Sequence, residues 1–420
     1  MSFLKESNLS KLYKDILMMA VSQASILIIP LIIMPFLTDS YSISDIGYFI
    51  LSLAVAQLGY LILDFGLSTY GVKKSRDLSY DVNKLSSFVS LANGAKAVLL
   101  IGILLIGIFL NFILETELLL YILLTIPSIF FQSMIPYWLF QSLGSVKSVL
   151  TVNLISRLIF LCLCFLLSSY SFPIEFLIFF NVIGWFVSYC ISRYILKGLG
   201  VQITLIFNFK KTILFFKEVF HYYTSRLSVI VYTSLNVIIV GAFLTPVNIA
   251  FYGLSEQLYK VIQGGTGAVN QAIYPILTKL KSRKTFYFAI FFTVILGVLL
   301  VAFTQVYASL VVDFLYGPQY FDIVPLIKLF SFLALINSIN VMLGFPAAAL
   351  FGGYKWVNVS SHLAAASYLL LVISLFYLDK FNINSLIICL ILADSVSLLI
   401  RLVGIFISVK YQNSIIQVGR

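Results

Sequence analysis

The chain consists largely of long apolar runs, each about long enough to cross a lipid bilayer and separated from the next by a short polar segment. A helical span needs about 20 apolar residues, and hydrocarbon offers an unpaired backbone amide no hydrogen-bond partner. Such runs must therefore form helices, and strands are not expected. Only 10% of the residues are charged, against about 25% in a typical soluble domain. The sequence predicts an all-α polytopic membrane protein.

The turn signals between the runs predict about twelve transmembrane helices in two sets of six. The first set lies near residues 15–37, 45–66, 86–113, 117–140, 149–170 and 174–196. The second set lies near residues 213–243, 247–276, 286–315, 324–350, 356–378 and 384–409. The first run is too long for a signal-peptide core and lacks a small-residue cleavage site, so it is expected to be helix one.

Lysine and arginine residues gather on one side of the predicted membrane. They fill the loops after the second and eighth runs, with Lys73, Lys74, Arg76 and Lys84 in one and Lys279, Lys281, Arg283 and Lys284 in the other, while the opposite side holds only Lys380. Short cytoplasmic loops retain basic residues. We therefore expect a multi-pass membrane protein with both termini in the cytoplasm. This bias also explains the net charge of +11 without nucleic acid as a partner.

The two halves of the chain resemble each other. Phe36-Leu37-Thr38 closes the first helix as Phe243-Leu244-Thr245 closes the seventh, and a glycine-tyrosine pair follows each. The predicted domains are an N-terminal six-helix bundle at 1–197, a cytoplasmic linker at 198–212 and a C-terminal six-helix bundle at 213–420. Two parallel repeats of six helices imply a pseudo-two-fold axis along the membrane normal and a central cavity.

Several predicted spans carry ionisable residues, which cost roughly 2.5–3.5 kcal/mol each at the bilayer centre and therefore avoid lipid. In the eighth span Glu256, Lys260 and Gln263 lie on one helix face, and the acid precedes the base by four residues, the favourable order for an ion pair. Asp394 and Arg401 share a face of the last span. The other residues of this kind are Asp64, Lys96, Arg157 and Arg226.

Two interpretations of these residues remain open. They are either structural, with Glu256 and Lys260 neutralising each other and Arg401 extending to a helix end, or they line a polar cavity in which cargo moves. No motif for a phosphate-binding loop or a zinc protease occurs, and the four cysteines lie in apolar runs where cysteine acts as a small hydrophobe. No catalytic residue, metal or cofactor is therefore expected.

Three regions resemble a known family of transporters. The first is DIGY at 45–48 with AVAQ at 54–57 and DFGL at 64–67. The second comprises YTSLN at 232–236, FYGLSEQL at 251–258 and QAIYP at 271–275, and the third is LYGPQY at 315–320. These runs are similar to those of O-antigen (Wzx-type) polysaccharide flippases, members of the multidrug/oligosaccharidyl-lipid/polysaccharide (MOP) exporter superfamily. The length and the span number also fit this family.

The resemblance implies transport of an undecaprenyl-diphosphate-linked oligosaccharide from the cytoplasmic to the outer leaflet, by alternating opening of two six-helix bundles. The expected partners are this lipid, membrane lipids and other membrane proteins of polysaccharide assembly. An anionic diphosphate suits a positive cavity, and the candidates to line it are Arg226, Lys260, Arg157 and Lys96. The candidates for gating or ion coupling are Glu256, Asp394, Arg401 and Asp64. Lipid II flippases carry a basic residue in helix one, and this chain does not.

Two alternatives compete with this interpretation. A drug exporter of the same superfamily would move small cations through an acidic cavity, whereas basic residues outnumber acidic ones in the predicted spans. A membrane-embedded polysaccharide polymerase would need a sizeable external loop with acidic residues, and the predicted outward loops are short. The sequence therefore favours a transporter of an anionic cargo over an enzyme.

Overall fold

The computed structural model describes residues 2–114, 118–167, 172–204, 206 and 208–418, and every regular element in these ranges is a helix. The all-α prediction is thereby confirmed. Within these ranges, side chains are described except those of 2–16, 20, 110–114, 118–119, 167, 209, 221, 225–226, 268–276, 278–280 and 411–418.

The chain divides into two compact units, Met1–Ile230 and Val231–Arg420. The helices that begin in the first unit are α1 (Ser2–Ser40), α2 (Ile43–Asp64), α3 (Leu67–Leu78), α4 (Val82–Leu114), α5 (Leu118–Met134), α6 (Tyr137–Ser142), α7 (Val146–Leu167), α8 (Glu175–Gly198) and α9 (Phe209–Thr233). The helices of the second unit are α10 (Asn236–Phe243), α11 (Pro246–Leu280), α12 (Arg283–Tyr316), α13 (Val324–Leu343), α14 (Phe345–Phe351), α15 (Tyr354–Tyr377) and α16 (Ile383–Val418), with a 3-10 helix at Pro318–Ile323.

Ten segments of the described residues are long and apolar enough to cross a membrane, or eleven if α10 and the end of α9, bent by 49°, form one span. Helix α11 is not among them, although its 35 residues extend for about 50 Å. Its polar residues Glu256, Gln257, Lys260 and Gln263 lower its hydropathy. The count of twelve spans stays a prediction.

The predicted spans at 117–140, 213–243 and 324–350 are each broken into two helices, and the predicted span at 45–66 ends in a turn at glycine. The run at 117–140 becomes α5 and α6, because Pro136 has no N–H to continue the helix after Met134. The chain turns between α2 and α3 at Phe65 and Gly66, which have φ angles of 41° and 80°. A Cβ at Gly66 would lie 3.1 Å from the backbone nitrogen of Tyr223, so only glycine allows α9 to approach this turn so closely.

Part of the predicted linker at 198–212, the described residues between α8 and α9, contacts α4. The backbone nitrogen atoms of Gln202 and Thr204 donate to the hydroxyls of Ser86 and Ser90, at 3.1 and 3.0 Å. These serines are one helical turn apart, which matches the rise of two residues of extended chain. The linker therefore packs within the first unit, and the boundary between the units falls later, at Ile230. The assignment of six helices to each half stays a prediction.

Candidate functional site

Glu256 and Lys260 form an ion pair across one turn of α11. The Lys260 Nζ lies 2.7 Å from the Glu256 Oε2. The two partners differ in exposure, since the lysine side chain is 46% exposed and the glutamate side chain only 8%. The buried carboxylate is therefore neutralised by a cation that can itself meet a ligand. The geometry fits both interpretations of these residues, because the lysine is paired and accessible at once.

An amide pair joins α11 to α13 one turn beyond Lys260. The Gln263 Nε2 donates to the Asn337 Oδ1 at 3.0 Å and to the Tyr259 hydroxyl at 3.2 Å. The Tyr259 ring stacks on that of Phe330, also on α13, with 5.4 Å between the ring centroids. Helices α11 and α13 are thus connected by both polar and aromatic contacts.

The amide pair continues to the buried Asp394 of α16. The Asn337 Nδ2 donates to the Asp394 Oδ2 at 3.1 Å, and the Asn340 Nδ2 donates to the backbone oxygen of Asp394 at 2.8 Å. Asp394 is 4% exposed. Because a carboxylate accepts hydrogen bonds and cannot donate them, the Asn337 amide compensates part of the cost of burying it.

Arg401, two turns further along α16, bonds to helices α13 and α15. Its Nη1 donates to the backbone oxygen of Asn340, and its Nε donates to the Ser360 hydroxyl at 2.9 Å. The guanidinium also interacts electrostatically with Asp394. Asp394 and Arg401 therefore belong to one network that crosses α11, α13, α16 and α15, which we call the amide network: Tyr259, Gln263, Asn337, Asn340, Ser360, Asp394 and Arg401.

Lys96 lies on α4 in the first unit, and its buried side chain meets the C-terminal end of α5. Its Nζ donates to the backbone oxygen of Ser133, whose helical acceptor role is lost because the chain breaks at Pro136. A cation at the C-terminus of a helix is also favoured by the helix dipole. The Asp64 carboxylate, 4% exposed, interacts electrostatically with Lys96 and accepts from the backbone nitrogen of Ser68 at 3.3 Å.

Arg157 differs from Lys96 in having no counter-ion among the described residues. Its guanidinium carbon lies 5.1 Å from the ring centroid of Trp185, a cation–π contact between α7 and α8. The Nε is buried and has no acceptor, and the hydroxyl of the neighbouring Tyr137 also has no partner. Arg157 is thus a half-buried cation that contacts an aromatic ring but has no counter-ion among the described residues and no acceptor for its Nε.

The remaining predicted residue, Arg226, lies on α9, but its side chain is outside the described part of the structure. The structure brings together Glu256 with Lys260, Asp394 with Arg401, and Asp64 with Lys96. Sequence reasoning did not identify Asn337, Asn340, Ser360, Tyr137 or Trp185. The two asparagines were detectable, because they are polar residues three positions apart inside an apolar run and so share a helix face.

The chain is similar in sequence to proteins named as O-antigen transporters and in fold to a lipid II flippase and a multidrug transporter. A "Putative O-antigen transporter" of Shigella dysenteriae is 24% identical over 277 residues, which cover 64% of this chain and 68% of the relative. A lipid II flippase, MurJ, in an inward closed conformation, superposes with a TM-score of 0.71 at 15% identity, over 92% of this chain and 86% of the flippase.

A multidrug resistance MATE transporter of the MOP superfamily superposes with a TM-score of 0.60 at 12% identity, over 91% of this chain and 96% of the transporter. These likenesses confirm the expected MOP-like fold. Residues 12–281 match the polysaccharide biosynthesis protein family, more than half of the chain. The chain therefore belongs to the polysaccharide biosynthesis protein family.

Proposed function

We propose that the chain is a flippase that moves an undecaprenyl-diphosphate-linked oligosaccharide from the cytoplasmic to the outer leaflet of the bacterial inner membrane. The oligosaccharide is the repeat unit of O-antigen or of a similar surface polysaccharide. The family, the relative named for O-antigen transport and the flippase fold support this function. The cargo crosses by alternating access, and the protein acts as a transporter and not as an enzyme.

The observation that carries this proposal is that Arg157 has no counter-ion among the described residues. An unpaired guanidinium in a membrane span is expensive, and such residues mark pathways for substrates and ions. An anionic diphosphate would supply the missing counter-ion, and its oxygen atoms would accept from the guanidinium. Arginine binds phosphate well because its planar fork can donate two parallel hydrogen bonds. A small cationic drug would gain nothing from this group.

The other basic residues have different roles in this proposal. Lys260 is held by Glu256 in the absence of cargo, and cargo binding releases it from the carboxylate. Arg226 is a further residue of the cavity, and Lys96 contributes positive potential while it holds the end of α5. Asp394, Arg401 and Asp64 respond to cargo or ions during gating.

The test compares Arg157→Ala and Arg157→Lys with the unchanged chain in cells that depend on it for O-antigen. The alanine variant should lower surface polysaccharide at least about tenfold at normal membrane abundance, the effect of losing roughly 1.4 kcal/mol of anion binding. The lysine variant should retain part of the activity, because it keeps the charge but not the planar fork.

The matched control is Lys147→Ala, which removes an exposed cation from the same helix and should change nothing. Full surface polysaccharide with Arg157→Ala at normal abundance would contradict the role of this residue. Loss of abundance in step with loss of polysaccharide would instead identify Arg157 as a structural residue.

A further inference from the structure

The side-chain carbonyl group of Gln263 has no hydrogen-bond partner within the amide network. The side-chain nitrogen donates twice, to Asn337 and to Tyr259, whereas the Oε1 accepts no hydrogen bond from the residues that the structure describes. Gln263 is half-buried and lies almost one turn beyond the exposed Lys260 on α11. An amide that is held by its nitrogen presents its oxygen as a fixed acceptor.

The surface of α11 next to this acceptor is open. A Cβ added to Gly267 would meet no heavy atom of another element within 4 Å among the residues that the structure describes. Gly267 lies one turn beyond Gln263 on the same helix face. The chain thus leaves room for a ligand beside a cation, Lys260, and a carbonyl acceptor, Gln263.

The chemistry of Asp394 determines which end of Gln263 faces outward. The carboxylate can only accept, so Asn337 must turn its Nδ2 toward it. The Oδ1 of Asn337 then faces α11, and Gln263 must turn its Nε2 inward to donate to it. Each step fixes the next, and the Gln263 Oε1 is left without a donor among the described residues. The charged or titratable groups that interact with Asp394 are Arg401, Tyr232 and Tyr259.

We propose that Gln263 is a specificity-determining residue, which accepts a hydrogen bond from a hydroxyl group of the oligosaccharide. Asn337 and Asp394 are positioning residues that hold its carbonyl outward. This inference rests on the proposed function and assigns a part of the cargo to this site. Sugar rings carry many hydroxyl donors, whereas the polyprenyl tail and an ionised diphosphate carry none. The acceptor beside Lys260 therefore recognises the sugar and not the lipid.

The test measures binding of two lipids to the purified full-length chain in detergent by tryptophan fluorescence. One probe is the undecaprenyl-diphosphate-linked oligosaccharide extracted from cells depleted of this chain, and the other is sugar-free undecaprenyl diphosphate. Gln263→Met keeps the length of the side chain without its amide. It should bind the glycosylated lipid about fivefold to tenfold more weakly, as expected for the loss of one hydrogen bond, and the sugar-free lipid as before.

Asn337→Leu should show the same selective loss, because Gln263 is then no longer held. Its control is Ser338→Ala, which changes the adjacent residue of α13, whose hydroxyl bonds only to its own helix. Equal binding of both lipids by Gln263→Met and the unchanged chain would overturn the inference, and so would equal weakening of both. Failure of the unchanged chain to bind either lipid would instead refute the proposed function.

Discussion

At the scale of single residues, the charged groups of the spans differ in whether another residue of the chain already binds them. Lys96 donates to the end of α5, and Lys260 is paired with Glu256. Arg157 has neither an acceptor for its Nε nor a counter-ion among the described residues. A charge that is paired contributes to the fold, whereas an unpaired buried charge is retained at a cost that a ligand can offset.

The Glu256–Lys260 pair gives a prediction that separates these two roles. Lys260→Ala leaves a buried carboxylate unpaired, and we expect it to destabilise the protein by about 1–2 kcal/mol, discounted for the exposure of the lysine. The double substitution Glu256→Lys with Lys260→Glu restores an ion pair at the same spacing. Membrane abundance should therefore recover.

Surface polysaccharide should stay low in the double variant, because an accessible carboxylate now stands where an accessible cation met the anionic cargo. Quantitative immunoblotting of membranes, alongside O-antigen on gels, measures both quantities. Recovery of transport together with abundance would mean that the pair is purely structural.

At the scale of elements, close packing against α4 fixes the segment that follows α8. A Cβ at Gly94 would lie 2.1 Å from the backbone oxygen of Ile206, and Val201 and Ile203 are buried. Gly94 therefore belongs to the same face of α4 as Ser86 and Ser90, and this segment packs on that face. Backbone cannot move aside as the end of a flexible side chain can, so a substitution at Gly94 must displace the whole segment.

We therefore expect Gly94→Val to destabilise the protein by about 1–3 kcal/mol, the usual cost of overpacking. The matched control is Gly102→Ala on the same helix, where an added Cβ meets nothing within 4 Å. Thermal unfolding of the purified proteins, followed by exposure of buried cysteine, should show a lower Tm only for Gly94→Val. Equal Tm values for both variants would contradict the packing of this segment on α4.

At the scale of the whole molecule, the distribution of basic residues predicts on which side of the membrane each loop lies. Ser79 lies in the exposed turn between α3 and α4, with Lys73, Lys74, Arg76 and Lys84 nearby in the sequence. The tendency of lysine and arginine to remain in the cytoplasm predicts that this turn lies inside the cell. The predicted outward loops, near 38–44 and 244–246, contain no basic residue.

The Ser79→Cys variant should accordingly react with a membrane-impermeant maleimide only after the cells are permeabilised. The Asp39→Cys variant, with its substitution in the predicted first outward loop, should react in intact cells. The native cysteines are replaced in both variants, and transport is checked first. Labelling of position 79 in intact cells would refute the predicted orientation.

The sequence by itself determined the fold class, because the lack of hydrogen-bond partners in hydrocarbon leaves helices as the only choice for its long apolar runs. It also identified the charged residues of the spans, since charges are rare there, and the pairing of Glu256 with Lys260, which depends only on helical spacing. Motif similarity indicated the family.

Only the tertiary structure decided what these residues contact. The partners of Asp394 and Arg157 come from other helices, Asn337 of α13 and Trp185 of α8, and no periodicity within one helix specifies which neighbour it meets. The same applies to the backbone oxygen of Ser133 that Lys96 binds, because a break at Pro136 exposes the carbonyl and packing brings the lysine to it. Local spacing follows from covalent geometry, whereas these contacts depend on how the helices pack.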